Sequence, residues 1–182
     1  MRVDLAILLG LVVAARDVDG DGLADLIYGN GHGYGLSWMK QGKGEKGEPT
    51  WTKAAIDPRL ALVHTLLWAD LDGDGKPNEL VTGMRVYAHE TDSGSTDAPV
   101  IAYFTFDKTT QKWDRHVIYQ GEPATNAPKD GGKREAQKDF LPGTAGTGLQ
   151  MIAIDIDKDG DTDLICPGKS GLYLFENLTR SK

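Results

Sequence analysis

Three short stretches hold carboxylates that would repel each other severely if packed together without a counter-ion: DVDGDGLADL at 17–26, DLDGDGKPNEL at 70–80 and DIDKDGDTDL at 155–164. Carboxylates at positions 1, 3 and 5 of a tight loop turn toward one point, and glycine at position 6 permits the bend. A backbone carbonyl at 7 and a carboxylate at 9 then complete most of a calcium shell. In the first loop these are Asp17, Asp19, Asp21, the Leu23 carbonyl and Asp25; in the third, Asp155, Asp157, Asp159, the Asp161 carbonyl and Asp163. The second offers Asp70, Asp72, Asp74 and the Lys76 carbonyl, with Asn78 ninth and Glu79 tenth, so either can close it. Oxygen donors without His or Cys suit Ca2+ rather than zinc or copper. An EF-hand needs Glu at position 12 and flanking helices; position 12 is Tyr28, Val81 and Cys166, and the flanks read as strands.

The similarity extends beyond the loops. GLVVAARD, HTLLWAD and GLQMIAID are apolar runs, each delivering its loop's first aspartate. ADLIYGNG, ELVTG and DLICPG follow the loops, and YGLSWMKQ, VIAYFTFD and SGLYLFEN come next. TWTKAAID and KWDRHVIY close the first two units. Short runs rich in β-branched and aromatic residues, broken by Gly, Pro and Asp, are strands. The chain is therefore expected to be all-β: an array of about three four-stranded blades in one domain, with repeats near 10–57, 63–120 and 148–178. Segments 84–99 and 121–147 are insertions, the third unit lacks its last strand, and Trp51 and Trp113 are expected to pack between blades. The apolar N-terminus superficially looks like a signal peptide, but Asp4 interrupts it and the alignment with the other units favours a strand.

The charge is local. The loops hold 13 of the 27 acidic residues and only Lys76 and Lys158 of the 20 basic ones. Three divalent cations would bring the net charge of −7 to about −1. No basic stripe with interleaved aromatics supports a nucleic-acid partner, and no apolar run is long enough for a membrane-spanning helix. The single cysteine, Cys166, excludes an internal disulfide and reads as a buried strand residue.

DVDGDGLADLIYG, DLDGDGKPNELVTG and DIDKDGDTDLICPG resemble the FG-GAP/VCBS repeats of integrin α-subunit propellers and of exported bacterial proteins. The resemblance implies a β-propeller with calcium in loops joining the first and second strands of each blade. It also implies an extracellular or periplasmic setting. Because propellers need at least four blades, the chain is expected to be part of a longer protein or to associate with copies of itself. The family supplies no single activity; its implied roles are recognition of a glycan or protein, or scaffolding.

Strand direction adds one expectation. If the acidic loops join strands one and two, the opposite face collects His32, Tyr34, His64, Arg85, His89, Glu90 and the 121–147 loop, and any ligand site belongs there. The competing reading is a propeller-type carbohydrate lyase or dehydratase using one of His32, His64, His89 or His116. Without an assembled catalytic set, the sequence favours a calcium-stabilised binding or scaffold module.

Overall fold

The structure, a computed structural model, describes residues 11–89, 92–124 and 143–179. Over these residues it is all-β, and none of them forms a helix long and apolar enough to cross a membrane. Three antiparallel sheets follow one another along the chain. Blade 1 is β1 (Leu11–Arg16), β2 (Asp25–Asn30), β3 (Tyr34–Lys43) and β4 (Pro49–Ala61). Blade 2 is β5 (Val63–Ala69), β6 (Glu79–Met84), β7 (Val100–Asp107) and β8 (Lys112–Gln120). Blade 3 has β9 (Ile152–Ile154), β10 (Asp163–Gly168) and β11 (Gly171–Phe175). Within each sheet the strands lie in chain order, the meander of a propeller blade. The first strands adjoin from blade to blade, β1 beside β5 and β5 beside β9, and the sheets are not closed into a ring.

The two-residue period of the strands builds the packing. On β6, Leu80 faces blade 1 and Val81 faces blade 3; on β7, Val100, Ala102 and Phe104 face blade 1 while Ile101 faces blade 3. Every residue of β6 is buried, as expected of a strand covered on both faces. The contact between blades 1 and 2 contains Ile27, Leu36, Val63, Leu80 and Phe104 with an aromatic cluster of Trp38, Trp68, Phe106 and Trp113. The contact between blades 2 and 3 contains Val81, Ile101, Met151, Leu164 and Cys166. Burial pushes the Cys166 thiol up to about 11, which leaves it a packing residue rather than a nucleophile.

Two local expectations differ from the structure. Trp113 packs between blades, but Trp51 is exposed, because its face of β4 meets no neighbouring blade among the described residues. The first repeat also runs past residue 57. β4 continues to Ala61 by bulging, with register shifts between Tyr34/Leu36 and Leu36/Ser37. Residues 1–10, Glu90 and positions 125–142 of the long insertion lie outside the described residues. On blade 3, Ile152, Ile154, Leu172 and Leu174 remain exposed.

Candidate functional site

The acidic loops lie between β1 and β2, β5 and β6, and β9 and β10, and they share one construction. In the first, the Gly20 and Gly22 N–H groups donate to Asp17 at 2.8 and 3.0 Å, the Asp21 N–H to Asp19 at 3.2 Å, and the Leu23 N–H to Asp21 at 2.8 Å. In the second, Gly73 and Gly75 donate to Asp70, Asp74 to Asp72, and Lys76 to Asp74. In the third, Gly160 donates to Asp155, Asp159 to Asp157, and Asp161 to Asp159. The positive φ at position 4 is met by Gly20, Gly73 and Lys158, and at position 6 by Gly22, Gly75 and Gly160. These turns draw carboxylates together. Asp17, Asp19 and Asp21 each place an oxygen within 4.8 Å of the others, as do Asp70, Asp72 and Asp74, and Asp155, Asp157 and Asp163.

The ninth position has a second task. Asp25 pairs across from Arg16, Glu79 from Ala69 and Asp163 from Ile154, so each acid opens the second strand of its blade. Each accepts the N–H of the loop's second residue: Val18 to Asp25 at 3.2 Å, Leu71 to Glu79 at 2.8 Å and Ile156 to Asp163 at 3.0 Å. Asp25 and Asp163 also accept from the far side of the blade, from the Gln41 and Asn177 N–H groups. Glu79 therefore occupies the ninth-position place in the second loop. Asn78 is the extra residue, and its side-chain oxygen accepts from Arg16 of blade 1 at 3.0 Å.

In the second and third loops the electrostatics suit a cation. Burial and the charges of Asp72, Asp70 and Asp74 push the Glu79 carboxyl above its ordinary value, outweighing the Leu71 N–H bond. In the third loop Asp155 Oδ1 is buried with no hydrogen-bond partner. In the first, burial raises Asp19, but the Lys40 ammonium and the Asp21 N–H outweigh it and hold the carboxyl below its ordinary value. An all-oxygen set with an orphaned buried carboxylate oxygen fits a hard divalent ion such as Ca2+.

The opposite face gathers residues that the sequence scatters. His32 comes from the β2–β3 loop, His64 from the start of β5, and His89 and Asp92 from the β6–β7 loop. The His32 and His89 rings lie 4.0 Å apart between centroids, and those of His64 and His89 5.3 Å apart. Tyr34 donates to Asp97 at 2.7 Å, and Lys169 of blade 3 reaches the Tyr87 carbonyl at 2.8 Å. The positive charge of Arg85 acts on both His64 and His89, and its N–H donates to the Leu62 carbonyl. Alongside lies a cleft of about 230 Å³ lined by Arg59, Met84, Asp97 and Arg115, among others. His116 stands apart, stacked on Tyr103. Sequence reading missed Asp92; its signal was a carboxylate three residues after His89, uninformative until the loop shape places His32 beside it.

A family model described as an FG-GAP-like repeat matches residues 17–81, from the first aspartate of the first loop into β6. No curated protein matched the chain. Over that segment, which spans blade 1 from its acidic loop and carries the second acidic loop entire, the chain is similar to an FG-GAP-like repeat in sequence and follows the blade order expected of one.

Proposed function

We propose that this chain is a calcium-binding β-propeller repeat module of the FG-GAP/VCBS type, acting outside the cytoplasm in recognition or as a scaffold. The observation that carries the reading is the threefold recurrence of one loop construction, in which three carboxylates gather around a point and an acid (Asp25, Glu79 or Asp163) opens the second strand of the blade. A cation there would neutralise the loop and hold the β1–β2, β5–β6 and β9–β10 turns in register. Extracellular calcium modules work at about 10⁻⁴–10⁻³ M, so occupancy suits an exported protein. Calorimetric titration of the chelator-stripped chain should find calcium sites in this range, weakened by Asp19→Ala and Asp157→Ala. Unchanged calcium affinity in both folded variants would reduce the loops to ordinary acidic turns. A glycan or protein ligand would use the opposite face.

The enzyme reading has one observation in its favour, the convergence of His32, His64 and His89. It requires that a folded His89→Ala variant lose turnover of a polysaccharide that the unaltered chain cleaves.

A further inference from the structure

Three imidazoles and a carboxylate from two blades meet where the calcium loops have no use for them. His64 Nδ1 lies 2.9 Å from the Leu62 carbonyl, which can only accept, so that nitrogen carries the proton and Nε2 presents a lone pair. The Leu62 carbonyl is itself fixed: it joins β4 to β5 in a left-handed conformation (φ 52°) and also accepts the Arg85 N–H at 3.1 Å. His64 Nε2 stands 3.2 Å from His89 Nε2. Two nitrogens bound at about 2.0–2.1 Å to one tetrahedral ion stand about 3.3–3.4 Å apart, so this pair has the spacing of two ligands. His32, His89 and Asp92 each place a donor atom within 4.8 Å of the others. His32 Nδ1 sits 2.8 Å from Asp92 Oδ2, which sets an imidazole donor and a carboxylate donor side by side.

We propose that His32, His89 and Asp92, with His64 Nε2 beside His89 Nε2, form a second kind of metal site, for a borderline divalent cation of the zinc type, bridging blades 1 and 2. Imidazole donors select zinc, copper or nickel over calcium, so the two faces of the array take different ions. The simpler alternative is an N–H···N hydrogen bond between two neutral histidines, with no ion.

The test is a zinc titration of the full chain, stripped of metal and then held in saturating calcium, followed by calorimetry and by the visible spectrum of Co2+ used in its place. The proposal expects one equivalent bound, tetrahedral cobalt bands, and an affinity at least about 100-fold weaker in His89→Ala and His32→Ala, since even outer-shell changes cost 10–100-fold. His116→Ala should leave it unchanged. Because His32 is exposed, its variant decides the matter if His89→Ala does not fold. No zinc uptake by the unaltered chain, or uptake surviving the His32 change, overturns the proposal.

Discussion

At position 4 of the acidic loops the backbone is left-handed, and two loops place glycine there while the third places Lys158 at φ 65°. A side chain in that region costs about 1–2 kcal/mol, and glycine returns part of that through the greater freedom of the unfolded chain. Lys158→Gly is therefore expected to stabilise the calcium-loaded protein by about 0.5–1 kcal/mol. It also removes a positive charge next to the carboxylates, so calcium affinity should rise. Chemical denaturation in calcium checks both; a loss of stability would mean that the lysine makes a compensating contact. The gathering of Asp17, Asp19 and Asp21, and of Asp70, Asp72 and Asp74, was legible because both loops repeat the 1-3-5 spacing. The choice between Asn78 and Glu79 was not, since an inserted residue moves the acid without changing which residue opens the strand; the Ala69–Glu79 pairing resolves its place.

At the scale of elements, β6 is the strand most constrained by its neighbours, and Gly83 lies at its tightest point. A Cβ there would stand 2.3 Å from the Val100 carbonyl oxygen and 2.7 Å from the Thr147 methyl. The Val100 carbonyl is backbone of the paired strand and cannot move aside without breaking the β6–β7 register, in which Gly83 faces Ile101. Gly83→Ala should cost about 1–3 kcal/mol, the usual range for overpacking, in thermal or denaturant unfolding. A neutral effect would show that β6 and β7 can separate locally. Strand existence and order could be read from sequence because an apolar run feeds each loop and an apolar pair follows it. Strand ends could not: the first unit reads as ending near residue 57, whereas β4 bulges past that point and pairs Ala61 with Tyr34.

At the scale of the whole molecule, the meander order puts every acidic loop on one face and every second-to-third-strand connection on the other. That division was legible once strand direction was. What sequence could not supply was distance: His32 and Asp92 are 60 residues apart, and only the packing of blade 1 on blade 2 through Leu36, Val63 and Phe104 brings them to 2.8 Å. The middle blade, buried on both faces, couples its neighbours. Asn177 after β11 donates to the Leu71 carbonyl beside the second loop, and Arg16 at the end of β1 reaches Asn78 on its other side. The acidic loops are thus tied to one another across blades as well as within them. A cation bound at one loop stabilises the native state in proportion to its occupancy, and these ties carry that stabilisation into the adjoining sheets.

The central claim, that cations in the acidic loops brace the array, is tested most directly by thermal unfolding of the full chain in millimolar calcium and in excess chelator, with the zinc-type site left empty in both. The account predicts a clearly higher melting temperature in calcium, rising with calcium concentration as binding to the native state requires, and a smaller rise in the Asp155→Ala variant, which loses one of the three gathered carboxylates of the third loop. Equal melting temperatures with and without calcium would contradict it.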